Sequence, residues 1–353
     1  MSRLFKHLTD AGHLSKSITN LEKRLEDLKR NSEKEIEKLK EFATKSAPTR
    51  QHLSSLRAQN EILAGEVESL KILCGRIASE NARRLPATAP LQQAEFQVFS
   101  QWGEDGIIQF LLAHVPVTKE IFVEFGVQDY SESNTRFLLM NNLWSGLIMD
   151  GSEEFMKRVN QSKLAWRHSL QAKAAWITAE NINDLIQGSG IQGEIGILSV
   201  DIDGVDYWVW KAIKVIQPCI VIAEYNSLFG PRALVTPAYA PDFDRAKAHF
   251  SRVFYGSSLA ALELLGKEKG FSLIGTNSAG NNAFFVRNDL CGALPTQTAA
   301  SAFRAARFRE ARLPSGQLAY SSFADAQNLI QDCLVHDLAT GSLRPLREVA
   351  DWR

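Results

Sequence analysis

Hydrophobic positions in this chain follow two regimes. Before residue 84 they recur at three- and four-residue spacing: Ile18, Leu21, Leu25 and Leu28, then Ile36 and Leu39 after Ser32 falls on the seam. Pro48 interrupts the run, and a cleaner heptad follows. Leu53, Asn60, Val67 and Cys74 take its a positions, and Leu56, Leu63, Leu70 and Ile77 its d positions. Leu at d, Val at a and one Asn at a predict a parallel coiled coil, with dimer favoured over trimer, because a buried Asn is satisfied only by a partner in register. The competing expectation is a single long helix packed on its own domain.

Beyond residue 96 the pattern changes to short apolar runs separated by amphipathic stretches. Runs at 121–123, 146–149, 174–177, 195–200, 220–223, 271–274 and 283–286 read as strands. Helices are expected between them, around 107–112, from about 131, and at 152–159, 182–186, 207–210 and 259–265. Apolar strands alternating with helices predict an α/β domain whose mostly parallel sheet is covered on both faces. Leu85-Pro-Ala-Thr-Ala-Pro-Leu91 breaks the first regime from the second, since two close prolines stop a helix. The expected organisation is a coiled coil over 1–84, a linker over 85–95, an α/β domain over 96–294 and a helical extension over 295–353. That extension is read as helical near 302–311 and 324–334, packed on the domain and without chemistry of its own. Between 227 and 254 periodicity is lost and Pro231, Pro237 and Pro241 appear, the signature of a lid or binding loop.

Composition narrows the class. The formal net charge is zero, so no global field recruits nucleic acid or an anionic membrane. Four scattered cysteines give neither a metal-binding pair nor a disulfide framework. No apolar run reaches membrane-spanning length, and the expected location is cytoplasmic. Leu4, Phe5 and Leu8 beside Arg3 and Lys6 offer weak contact with the inner membrane surface.

Candidate chemistry gathers at strand ends. The stretch from 120 to 150 reads as strand, Gly126, helix, strand, Asp150, the first half of a nucleotide-binding sheet. Gly126 lets the backbone approach a ligand, and Asp150 can accept hydrogen bonds from a ribose diol. One glycine where a dinucleotide fold wants three points away from NAD and FAD and towards an adenosyl ligand. Asp201, Asp203 and Glu224 end later strands, so the acids converge on one crevice outside the carboxyl edge of the sheet. Asp203 and Asp206 have a second reading as caps of the following helix.

Four segments carry a family resemblance: Phe122-Val-Glu-Phe-Gly126, Leu147-Ile-Met-Asp-Gly-Ser152, Val200-Asp-Ile-Asp-Gly204 and Val221-Ile-Ala-Glu-Tyr-Asn226. They resemble the FkbM-like branch of class I S-adenosylmethionine-dependent methyltransferases, although Ser131 and its neighbours stand where that family has a second glycine. The resemblance implies a Rossmann-like seven-stranded sheet with a terminal hairpin, and O-methylation of a sugar hydroxyl in a glycan such as a cell-surface polysaccharide. It implies Glu124 near the cofactor's sulfonium and amino group, and Gly126, Asp150, Gly151 and Ser152 around the ribose. Thr178 and Ala179, together with Asn181, would border the adenine. Asp201 is implied on both the cofactor and the catalytic side. Asp201, Glu224 and Asn226 form an oxygen-donor set suited to Mg2+ or Mn2+. Without metal, a carboxylate or His249 would act as base. Trp102, Trp208 and Trp210 could stack on a sugar or sit in the core. Two other classes compete: a glycosyltransferase using Asp201-Ile-Asp203 as a D-x-D motif, and a coiled-coil scaffold carrying a relict domain.

Overall fold

In the computed structural model, residues 22–40 and 47–352 are described. The membrane-facing residues suggested above, Leu4, Phe5 and Leu8, lie outside them, as do Ile18 and Leu21 of the first heptad run. Two helices open the described chain, α1 over 22–40 and α2 over Ala47–Arg83. Pro48 sits in the first turn of α2, where its missing N–H has no partner to lose. The chain divides into two compact units, the first ending at Lys71 and the second starting at Ile72.

Within the first unit, α1 and α2 meet along polar and apolar positions of one stripe. Leu25, Ser32, Ile36 and Leu39 of α1 are half-buried, as are Leu56, Asn60 and Val67 of α2. The Asn60 amide donates to the Ser32 hydroxyl at 2.7 Å. The two polar residues that interrupt the hydrophobic pattern thus satisfy each other inside one chain. Leu63, Leu70 and Ile77 remain 41%, 46% and 51% exposed, so three of the eight heptad positions are largely uncovered among the described residues.

The second unit is a sheet of seven strands. They are β1 (Ile121–Phe125), β2 (Ser145–Asp150), β3 (Leu170–Ala174), β4 (Gly193–Val200), β5 (Ile216–Glu224), β7 (Phe271–Thr276) and β8 (Asn282–Arg287), with β6 (Val235–Pro237) lying outside the sheet. Their order is β3-β2-β1-β4-β5-β8-β7. The first five run parallel, and β8 is antiparallel to both neighbours. This is the seven-stranded Rossmann-like α/β sheet with a terminal antiparallel hairpin that the resemblance implied. Around it lie α3 (Glu104–His114), α4 (Arg136–Asn141), α5 (Glu153–Gln161), α6 (Lys163–Arg167), α7 (Ile182–Gln187), α8 (Asp206–Ala212), α9 (Arg245–Ala248), α10 (Leu259–Glu268), α11 (Ala299–Ala302) and α12 (Phe323–Ile330). A smaller antiparallel sheet joins β6 to β9 (Leu334–Asp337) and β10 (Ser342–Pro345).

Alternate residues of the parallel strands feed two cores. Val123, Leu147, Leu198 and Val221 face one side with Tyr207, Trp210 and Leu262. Phe122, Ile148, Ile197 and Ile220 face the other with Ile107, Phe110 and Leu138. Trp210 is therefore core. Ala82, Ala89, Leu91 and Ala94 join the second cluster, so the proline-bearing segment expected as a spacer is packed into the domain. Gly75 explains the close fit of the end of α2: a Cβ there would lie 2.6 Å from Val98 and 2.7 Å from Phe137.

A buried polar network ties the start of the domain to its last hairpin. Glu104 is fully buried and accepts from the side-chain amides of Asn277 at 2.7 Å and Asn282 at 2.8 Å, and from Trp102 N–H. Asp105 beside it gathers the backbone N–H groups of Val98, Phe99 and Ser100.

Two expectations are corrected. The third strand lies four residues earlier than the apolar run Ala174–Ile177 suggested. Leu170-Gln-Ala-Lys-Ala174 is an edge strand with one polar face, and such strands lack a continuous apolar run. The segment 303–311 is extended rather than helical, despite Ala and Arg content that favours a helix. Tyr225 fixes it by donating to Arg304 C=O at 2.9 Å and accepting from Arg304 N–H, while Ala306 N–H donates to Ser227 Oγ. Tertiary bonds here outweigh propensity. Among the described residues no helix is long and apolar enough to cross a membrane, and all four cysteines are free.

Candidate active site

The crevice forms where the chain leaves β1, β2, β4 and β5. Gly126, next after β1, has φ of +72°, and a Cβ there would stand 1.6 Å from Asp201 C=O. Only glycine permits this approach of the loops after β1 and β4. Glu124 does not face the crevice as expected. It is 4% exposed, and the following loop encloses its carboxylate. Oε1 accepts from Asn134 N–H at 2.8 Å, while Oε2 accepts from Thr135 N–H at 3.1 Å and from the Ser133 and Thr135 hydroxyls. Burial raises the Glu124 pKa despite these donors.

Asp150 ends β2 half-buried. Its Oδ2 accepts from Gln128 N–H and its Oδ1 from Ser152 N–H, both at 2.8 Å. Gln128 and Tyr130 have positive φ values of 49° and 62°, so the carboxylate holds a strained loop beside the glycine. Ser152 then caps α5 by accepting from Phe155 N–H. Gly151 leaves room for the ring of Trp176, which sits 3.3 Å from the position a Cβ would take. Trp176 is 57% exposed, with its indole N–H bonded to Pro241 C=O. The apolar run at 174–177 looks like a strand, which hides Trp176 as a flat wall beside Asp150. Thr178 and Asn181 bond each other at the entry to α7, and Ala179 N–H donates to the Tyr239 hydroxyl. Thr178 and Asn181 thus close the turn that leads into α7.

Asp201, Asp203 and Glu224 bring carboxylate oxygens within 4.8 Å of one another. Glu224 is 7% exposed, and its Oε2 has no hydrogen-bond partner. Burial first, and neighbouring carboxylates second, push Asp201 and Glu224 well above the usual carboxylate range. Asp203, with φ of +57°, pairs with Arg245. Arg245 also pairs with Glu310, and its guanidinium lies 4.1 Å over the Tyr255 ring. Asp206 is separate from this trio. It accepts from Ile202 N–H and Gly204 N–H, holds the 201–204 turn in place, and is raised by burial to about 6.

Two other candidate residues are placed elsewhere. Asn226 is buried, with its amide donating to Val253 C=O and Tyr255 C=O and its Oδ1 accepting from Leu228 N–H. It shapes the loop after β5, and Asp203 is the third oxygen donor of the cluster instead. His249 is half-buried, bonds Ser251 Oγ at 2.7 Å and stacks on Phe250. Burial lowers its pKa, and its contacts are with its own loop rather than the acidic trio. Trp208 packs against Tyr207 and Tyr239, whereas Trp102, 39% exposed, stacks on Phe308.

The proline-rich loop at 227–254 is pinned across the crevice by Arg245–Asp203, Pro241–Trp176, Pro237–Trp208 and Tyr239–Ala179. Beside it lies a cavity of about 380 Å³, walled by the residues just past β5 and by the extended segment at 306–311.

No family model and no curated protein matches the chain. Among solved structures it is similar to the DszA carbon methyltransferase, with 11% identity over 52% of this chain and 53% of that one, TM-score 0.34. The chain therefore spans about half the length of that protein. It is also similar to an S-adenosylmethionine-dependent methyltransferase from Clostridium acetobutylicum, with 9% identity over 48% of this chain and 85% of that one, TM-score 0.32. A third is the O-methyltransferase from Bacillus cereus in complex with SAH, with 12% identity over 61% and 88%, TM-score 0.31.

Proposed function

We propose that this protein is an S-adenosylmethionine-dependent O-methyltransferase, acting on a hydroxyl of a glycan or similar acceptor with help from a divalent cation. The observation that carries the reading is the Asp201–Asp203–Glu224 cluster, with an unpartnered buried carboxylate oxygen beside a loop crossing that only Gly126 allows. Buried acids without partners cost several kcal/mol, so stability alone does not account for them. Three carboxylates and no nitrogen or sulfur donor fit a hard cation such as Mg2+ or Mn2+. When bound, such a cation supplies Lewis acidity towards an acceptor hydroxyl.

The chain's own groups would do the rest. Asp150 and the amides around it hold the ribose, and Trp176 offers its face to the adenine. The acceptor oxygen bonds the methyl carbon as the carbon–sulfur bond breaks. Its proton would pass to solvent when a cation occupies the trio, and to the Asp201–Glu224 pair when none does, since burial and neighbouring carboxylates favour protonation there. Asp150→Ala is expected to weaken S-adenosylhomocysteine binding roughly 100-fold, through two lost charge-assisted hydrogen bonds. Unchanged affinity by calorimetry would remove Asp150 from the site. A D-x-D glycosyltransferase also needs Asp201 and Asp203 together. A melting-temperature panel with S-adenosylhomocysteine and UDP-glucose, each with and without Mg2+, separates the two. Stabilisation by UDP-glucose alone would replace the present reading.

The exposed seam of α2 supports self-association as a dimer. Light scattering should give a mass above the monomer at micromolar concentration. A monomeric mass there ends this part of the proposal.

A further inference from the structure

The cavity beside the acidic trio has a wall of unusual charge. Among the described residues, its charged side chains are Arg307, Arg309 and Glu310. Glu310 is already engaged, accepting from the Tyr255 hydroxyl and pairing with Arg245. Arg307 and Arg309 are exposed and have no acidic partner among the described residues. The segment carrying them cannot relax into a helix that would scatter these arginines, because Tyr225 and Ser227 hold its backbone extended. Gly280 fits beneath it with φ of +81°, and a Cβ there would meet Arg304 C=O at 2.7 Å. Phe308 and Phe323 add apolar wall. The floor is Tyr225 and Asn226, the two residues that follow Glu224.

We infer that this cavity receives the acceptor, and that the acceptor carries an oxyanion, a phosphate or carboxylate, bound by Arg307 and Arg309. The inference rests on the methyltransferase reading for its choice of occupant. The arrangement gives the acceptor two ends. Its anionic group lies against the arginines of the 306–311 wall, and its hydroxyl lies at Tyr225 and Asn226, the residues that follow Glu224 in the chain. Guanidinium groups suit this task because they fork onto two oxygens at once. A volume of about 380 Å³ admits a monosaccharide bearing one such group, within the usual range for small-molecule sites. An uncharged sugar would leave two cations facing solvent and gain nothing from them. The tail expected to pack without chemistry thus supplies the specificity-determining wall.

The test is calorimetry on the full chain with S-adenosylhomocysteine present, titrating glucose 1-phosphate, glucuronic acid, glucose and inorganic phosphate. Glucose 1-phosphate or glucuronic acid should bind, with affinity falling as salt rises, while glucose should not. The stronger of the two identifies the anion. Arg307→Ala/Arg309→Ala should weaken that binding at least tenfold and leave the melting temperature and S-adenosylhomocysteine affinity unchanged. Arg307→Lys/Arg309→Lys should recover part of it. The inference is overturned if glucose binds as tightly as the charged sugars, if none of them binds, or if the alanine pair binds them as well as wild type does. It is equally overturned if inorganic phosphate binds as tightly as glucose 1-phosphate, since the sugar then contributes nothing. Arginine-dependent binding of a charged sugar by a protein that fails to bind S-adenosylhomocysteine would leave the anion site standing and remove the methyltransferase reading.

Discussion

Asp201→Asn and Glu224→Gln are each expected to lower methyl transfer roughly 100-fold or more while S-adenosylhomocysteine affinity stays within about twofold. EDTA should reproduce this loss, and Mg2+ or Mn2+ should restore activity in the wild type alone. The reason lies in the separation of tasks. In the proposed site Asp150 and the Gly126 loop would border the cofactor, whereas the carboxylate trio would face the acceptor. Stability should move the opposite way from activity. Removing a charge from a buried, partly unpartnered cluster relieves repulsion, so the metal-free Glu224→Gln protein should melt above the wild type. The pH dependence has a definite sign. Both carboxyls have folded pKa values raised above their unfolded ones, so the native state binds more protons than the unfolded state. Metal-free stability is then fullest below the unfolded values and falls as pH rises through the folded ones. A divalent cation offsets that loss, so the Mg2+-induced rise in melting temperature should grow as pH rises above the ordinary carboxylate range. Full activity in EDTA would discard the metal and leave the Asp201–Glu224 pair as base.

Glu124→Ala should destabilise the domain by about 4 kcal/mol, close to 10 °C in melting temperature for a domain of this size. The carboxylate is the acceptor for two backbone N–H groups and two hydroxyls in a site shut off from water. Alanine would strand all four. Loss of order in the 133–135 loop should weaken cofactor binding as a secondary effect. Glu124→Gln, which keeps an acceptor oxygen, should recover a good part of the stability. Urea denaturation of the three proteins checks this. A Glu124→Ala midpoint indistinguishable from wild type would mean that the loop is held by something else.

Parallel strands buried on both faces write themselves as apolar runs, which is why six of the seven strands of the main sheet could be placed from the sequence. The seventh, Leu170–Ala174, is an edge strand with alternating polarity, and its neighbour Trp176 supplied a false apolar signal. Val235–Pro237 pairs with Leu334–Asp337 across about a hundred residues, and Ser342–Pro345 turns back on Leu334–Asp337 as a short hairpin; all three are too brief to carry a local period. Site residues were legible where position alone decides the role. Strand-end acids Asp150, Asp201 and Glu224 reach the crevice because the sheet puts them there. Whether an acid faces ligand or protein depends on tertiary partners, and there local reading failed. Glu124 turned inward to meet Ser133 and Thr135, and Asn226 was consumed by carbonyls of Val253 and Tyr255. Arg307 and Arg309 sat in what read as an ordinary helical tail.

The pairing of Glu104 with Asn282 sets an order on how the chain can fold. The two are 178 residues apart, and β8 must slot between β5 and β7 before the amide reaches the carboxylate. During synthesis the acid emerges long before its partners, and it remains hydrated until the final hairpin closes. Such distant pairings make folding slow, because the entropy of closing the loop is lost before the contact forms. Any chain ending before Asn277 would enclose a carboxylate that has lost both amides, in a sheet missing its reversed strand. The last hairpin is therefore the step that commits the whole domain.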